Sequence, residues 1–147
     1  MIQIYKNYEG HKELEELDHI ELESWVMLTD PTMEELMNIS RDYKIDMDDL
    51  KAALDTEERS RLENEDDYTM ILVNIPVVEE EEGKKWYETI PLGIFITNKI
   101  VFTVCLEQTN ILKQFVDGLV SNFYTFMKTR FVYQILYNNA ALFLYYL

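Results

Sequence analysis

Apolar and polar positions change their period several times along the chain, and each change marks an element. The opening "MIQIYK" alternates and predicts a strand. Residues 8–23 are charged and carry no clear period. "SWVML" (24–28) has the continuous apolar character of a buried strand, and "TDPTMEELMNISRDYK" (29–44) takes up helical spacing, with Leu36, Ile39 and Tyr43 on one face. Two N-caps compete for that helix: Asp30 ahead of Pro31, and Thr32, which makes a capping box with Glu35. "DMDDLKAAL" (46–54) predicts a second short helix, capped by Asp46, with Leu50, Ala53 and Leu54 apolar.

The middle of the chain is rich in β-branched and aromatic residues. "YTMILVNIPVV" (68–78), "WYETIPLGIFIT" (86–97) and "KIVFTVCL" (99–106) predict three strands, joined by "EEEEGKK" and by a tight "TNK" turn. Pro76 and Pro91 belong at strand ends, bulges or edges, because proline donates nothing to a ladder. Helical spacing returns in "NILKQFVDGLV" (110–120), with Asn110 as cap, and in a longer helix from about Thr129 to the end. The order is βαα, a β-meander, then helices. Consecutive hairpins imply antiparallel pairs, so the expected fold is α+β. A mixed α/β layered sandwich is expected rather than a doubly wound parallel sheet, with a mixed, largely antiparallel sheet built around residues 68–106. Helices near 31–54 and 110–147 cover it, and residues 1–147 form one domain.

Charge changes the picture. The chain of 147 residues has a net charge of −15. Residues 1–67 hold 21 acids and 7 bases, whereas residues 68–147 hold 7 and 6. The acidic half disfavours nucleic acid and anionic lipid and favours cations. A single cysteine, Cys105, allows no internal disulfide and fits a reducing cytosol. No basic region precedes an apolar one at the N-terminus, and the longest apolar run, residues 140–147, falls far short of the ~20 residues of a membrane helix. A soluble domain is expected.

The terminal "FVYQILYNNAALFLYYL" (131–147) is the odd stretch: 14 of its 17 residues are hydrophobic or aromatic. On a helix, Gln134, Asn138 and Tyr145 make a narrow polar stripe in a wide apolar arc. No Gly, Pro or terminal Lys or Arg closes it, so the expectation is a helix cut in mid-run.

Catalytic constellations are lacking. His11 and His19 are spaced wrongly for a zinc pair and read as surface residues. Cys105 lies in a strand pattern without a basic neighbour and reads as an inert buried thiol. Residues 46–57 match an EF-hand loop at positions one, three and twelve, but have Leu50 at five and Lys51 in place of the glycine at six. They read better as a capped helix. Residues 79–82, "EEEE", read as a solvated hairpin loop, and Glu65, Asp66 and Asp67 as a polar turn with weak affinity for hard cations.

The ordered set "SWVMLTDPTMEEL", "RSRLENEDDYTMILVNIP", "ETIPLGIFITNKIVFTV" and "KTRFVYQILYNNAALFLYYL" resembles the cytosolic N-terminal domain of the CorA family of magnesium transporters. The resemblance implies an αβα sandwich that runs into a stalk helix toward the membrane. It further implies a homopentamer in full-length form, Mg²⁺ or other divalent ions such as Co²⁺ as cargo and regulator, and a place on the cytoplasmic face of the cell membrane. Two departures qualify it. The family's Gly-Met-Asn pore signature is absent, so transport would need the stalk and membrane helices that complete such a chain. Aligning "RSRLE" (59–63) with the family's segment puts its acidic metal-binding pair at Lys51 and Ala52, neither of which binds a cation. The remaining metal candidates are Asp46, Asp48 and Asp49. The fragment alone would then be a monomer or weak dimer. An acidic module docking a basic partner is the rival reading. A hydrolase or isomerase using paired carboxylates is a third, and it would need a pocket that the sequence does not signal.

Overall fold

The computed structural model describes residues 1–146; Leu147, the last residue of the terminal apolar run, lies outside them. The elements follow in the order β1 (Ile2–Lys6), β2 (Glu15–Leu17), β3 (Trp25–Thr29), α1 (Met33–Tyr43), α2 (Met47–Ala52), β4 (Arg61–Asn64), β5 (Thr69–Glu81), β6 (Lys84–Ile96), β7 (Val101–Cys105), α3 (Asn110–Val116) and α4 (Lys128–Tyr146). The strands form one seven-stranded sheet in the order β2-β1-β3-β7-β6-β5-β4. Every neighbouring pair is antiparallel except β3–β7, which is parallel with Trp25 opposite Val101. The sheet is therefore mixed and largely antiparallel, as expected, but wider: β1–β3 extend it, and the short β2 and β4 carried no legible pattern.

Two separate cores lie on its two faces. α1 and α2 bury Leu36, Ile39, Leu50 and Ala53 against Val26, Leu28, Met70, Leu72, Phe95 and Phe102. α3 and α4 bury Ile111, Phe115, Phe131 and Ile135 against Trp25, Ile75, Leu92 and Val101 on the other. Alternation along β7 explains the split: Val101, Thr103 and Cys105 face one way, Phe102 and Val104 the other, and all five are buried. The result is an αβα sandwich. Trp25 is central, edge-on to Phe115, Phe123 and Phe131, with its indole N–H donating to Thr103 Oγ1 at 2.9 Å. A buried polar tie crosses the chain as well. Asn7 donates to the Phe123 carbonyl (2.9 Å) and accepts from the amide and hydroxyl of Thr125 (2.7 and 3.0 Å), which pins the loop before α4 to the end of β1.

Several local expectations are corrected. Of the two caps competing for α1, Thr32 wins: the Glu35 amide donates to its hydroxyl (3.1 Å), and its own amide donates to the Glu35 carboxylate (2.9 Å). Thr109, not Asn110, caps α3, because its extended backbone points the hydroxyl at the Leu112 amide. That helix ends at Val116, short of the predicted Val120. "EEEEGKK" is no open loop. β5 and β6 run through it to a two-residue turn at Glu82 and Gly83, both with positive φ (52° and 77°), and the register sets Glu81 against Lys84 and Glu80 against Lys85. Opposite charges across the ladder offset part of the repulsion within the acidic run.

Pro76 and Pro91 lie well inside these strands, opposite Thr89 and Asn74. Counting from the hydrogen-bonded pair that flanks a two-residue turn, both fall in non-hydrogen-bonded pairs, with their nitrogens facing away from the partner strand. β4 covers β5 only to Leu72, and β7 covers β6 only from Leu92. The prolines therefore occupy the free edges of a two-stranded ribbon and break no bond.

Candidate functional site

The densest collection of ionisable side chains sits where the N-terminus of α2 meets the turn from β4 to β5. Lys44, left-handed at φ 57°, ends α1, and Ile45 anchors the connection in the core. Asp46 then caps α2 by accepting the Asp48 amide at 2.8 Å. From the other side, β4 delivers Glu63, and a turn closed by the Glu65 amide donating to the Tyr68 carbonyl (2.8 Å) presents Glu65, Asp66 and Asp67. An open cleft of about 580 Å³ lies between, lined by Asp46, Asp48, Asp49, Glu65, Asp66 and Asp67, with Lys44 the one basic side chain on its wall.

Tyr68 joins the two walls. Its ring is buried against Phe95, 6.0 Å away, while its hydroxyl donates to the Asp49 carboxylate and accepts the Asp46 amide at 3.3 Å. Burial first, and the Asp49 carboxylate beside it second, raise the Tyr68 hydroxyl well above the ordinary tyrosine range, so it stays a donor at every physiological pH. Asp49 is thereby fixed in place on the wall of the cleft.

The three acids expected from sequence separate here. Asp46 is spent on the cap, and Asp48 is exposed on the rim. Only Asp49 joins a tight cluster: its carboxylate and those of Glu63 and Glu65 bring oxygens within 4.8 Å of one another, the one such group among the described residues. A set of carboxylate oxygens suits hard divalent cations such as Mg²⁺ or Ca²⁺. Arg61 offsets part of this charge, pairing with Glu63 at 2.8 Å and Glu58 at 2.7 Å. Glu63 was not foreseen because it contributes from a four-residue edge strand, and only the β4–β5 register carries it toward α2. Lys51 is exposed and Ala52 is buried at 4% exposure, so neither offers a ligand.

The other residues singled out from the sequence lie apart from this cleft. His11 and His19 are exposed, His19 between the carboxylates of Asp18 (2.6 Å) and Glu21 (3.0 Å). Cys105 is buried, and burial raises its thiol to about 11, far from a thiolate nucleophile. Among the described residues, no helix is long and apolar enough to cross a membrane.

Comparison with known proteins gives this architecture relatives. The family described as "CorA-like Mg2+ transporter protein" matches residues 23–144. The cobalt/magnesium transport protein CorA of Methanocaldococcus jannaschii is 34% identical over 92 residues, which is 60% of this chain and 27% of that protein. The structure of the soluble domain of CorA from the same organism superposes with a TM-score of 0.71 at 25% identity, covering 92% of this chain and 54% of that one. The complete CorA magnesium transporter structure gives 0.71 at 22% identity, covering 95% and 44%. The chain thus spans about a quarter to a half of the length of these relatives. With a family match over most of its length and the fold of the CorA soluble domain, this chain belongs to the family of CorA-like Mg²⁺ transporter proteins.

Proposed function

We propose that these residues form the cytosolic, non-catalytic domain of a divalent-cation transporter. They would sit at the cytoplasmic face of the membrane, within a homopentamer whose stalk and membrane helices conduct Mg²⁺. The observation that carries this reading is the family match over residues 23–144, joined to the fold of a CorA soluble domain. In this reading the acidic cleft gathers the ion on the cytosolic side. Its six carboxylates raise the local cation concentration, and Asp49, Glu63 and Glu65 are the side chains that would hold Mg²⁺, in place of the positions that are Lys51 and Ala52 here.

The test is transport by the longest reading frame that carries this domain. Expressed in cells lacking their own magnesium uptake, it should restore growth at low Mg²⁺. Failure to do so, with the protein present in the membrane, would overturn the assignment. A regulatory role for the cleft has a separate readout. Asp49→Asn with Glu65→Gln should change how uptake responds to intracellular Mg²⁺ while leaving uptake at low Mg²⁺ intact.

A further inference from the structure

One patch of the sheet breaks its own pattern. Under α3 the inward positions of β1 and β3 ought to be apolar, as Trp25 and Met27 are. Strand alternation sets Gln3, Tyr5 and Thr29 on that same face, with Gln3 opposite Met27 and Tyr5 opposite Trp25. All three are polar, and Tyr5 and Thr29 are only 5% and 8% exposed. Gln3 Oε1 is shielded as well, and it has no hydrogen-bond partner among the described residues. A buried acceptor left unpaired costs its full desolvation, so this one calls for a donor.

These side chains line a cavity of about 160 Å³ between β1, β3 and α3. A cavity of about 150 Å³ is enough to hold a benzene-sized molecule. Met27, Leu112 and Val116 give it apolar walls, which offer water few partners. At its mouth stand two exposed acids, Glu107 and Asp117, and one exposed base, Lys113. Further in, the acids prevail. Burial first, and then the carboxylates of Glu16 and Asp117, raise the Tyr5 hydroxyl above the ordinary tyrosine range and keep it protonated. An occupant that answers all of this is small, has an apolar body, donates hydrogen bonds and is positively charged.

We propose that this cavity binds a small primary alkylammonium ion of about four or five carbons. Its ammonium donates to Gln3 Oε1 and is attracted by Asp117, and its carbon chain lies against Met27, Leu112 and Val116. The site is on the opposite face of the sheet from the acidic cleft and shares no residue with it.

The probe is n-butylammonium, with n-butanol and butyrate as its neutral and anionic counterparts. NMR titrations in physiological salt screen out diffuse attraction to the acidic surface. Butylammonium should saturate, shifting the Met27 methyl and the Gln3 side-chain amide. Butanol should bind roughly tenfold more weakly, and butyrate not at all. Gln3→Met, which keeps the volume and removes the acceptor, should lower the affinity roughly tenfold, and Asp117→Asn about threefold. Val116→Phe should fill the cavity and abolish binding in a chain that circular dichroism shows to be folded. Asp48→Asn with Asp49→Asn, in the cleft, should change nothing. Shifts spread over the acidic surface without saturation, butyrate binding as well as the amine, or an affinity that Gln3→Met leaves intact would each overturn the proposal.

Discussion

Cys105 holds its proton because its sulfur lies in the core, within 3.6 Å of the Pro91 carbonyl, where a thiolate would be poorly solvated. Its native value of about 11 compares with an ordinary 9.0, and the Tyr68 hydroxyl is raised as well. Above pH 9 the unfolded chain therefore binds fewer protons than the folded one. The associated stability is fully present below pH 9 and is lost as pH rises toward 11. Urea titrations should show the midpoint falling across that window, and less steeply in Cys105→Val. A thiol reagent at pH 8 should label the protein only once it is unfolded. Such environments are hard to read from sequence. Cys105 was legible as buried, since it sits in a strand pattern. The tie between Asn7 and Thr125 was not, because the partners stand 118 residues apart and neither belongs to a periodic segment.

Elements with strong local signals were the legible ones: β3, β5, β6, β7, the capping box of α1 and the Asp46 cap of α2. What escaped was decided by neighbours. β2 and β4 are charged edge strands whose only identity is their pairing. In the candidate site, Asp49 was legible on its helix, whereas Glu63 and Glu65 join it only through the fold. The packing of α2 on the sheet depends on one absent side chain. A Cβ at Gly93 would lie 2.6 Å from the Ala53 Cβ and 2.9 Å from the Phe95 ring. Gly93→Ala should cost about 1–3 kcal/mol by overpacking, and Ala53→Gly should recover part of the loss in the double variant, measured by chemical denaturation. α4 makes a further prediction. The expected polar stripe is partly turned inward, with Gln134 donating to the Ser121 carbonyl at 2.9 Å, while Tyr133, Tyr137 and Leu144 face solvent. An exposed apolar stripe on an otherwise charged molecule favours weak self-association. Sedimentation should show a concentration-dependent monomer and dimer that Tyr137→Glu converts to monomer; a stable pentamer of these residues would contradict this.

For the whole molecule, a net charge of −15 means that any polyvalent cation binds to some extent, so affinity alone does not identify a site. Salt separates the cases. Exposed charges are screened over about 8 Å at physiological ionic strength, whereas directly coordinated Mg²⁺ resists screening. Mg²⁺ attracted diffusely to the exposed acids should be largely lost in moderate KCl, as calorimetry can measure. Asp46→Asn with Asp48→Asn should reduce that diffuse part in proportion to the charge removed. Coordination by the Asp49 cluster predicts a saturable, salt-resistant remainder abolished by Asp49→Asn with Glu65→Gln but not by Asp46→Asn with Asp48→Asn; its absence would leave diffuse attraction alone. The same self-repulsion should make the domain more stable as salt rises.

The single parallel contact in the sheet sets a schedule for biosynthesis. β3 meets β1 soon after it is made, but its other neighbour, β7, lies 76 residues later in the chain. At about 5–20 residues per second, β3 emerges from the ribosome roughly 4–15 s before β7 does. For that interval one edge of β3 is bare, and Phe115, Phe123 and Phe131, which will pack around Trp25, are not yet in place. Until residue 105 has cleared the exit tunnel, that edge of β3 is open to other partners. The rate-limiting event of refolding should be closure of this long loop rather than formation of the β5–β6 hairpin, whose contacts are local.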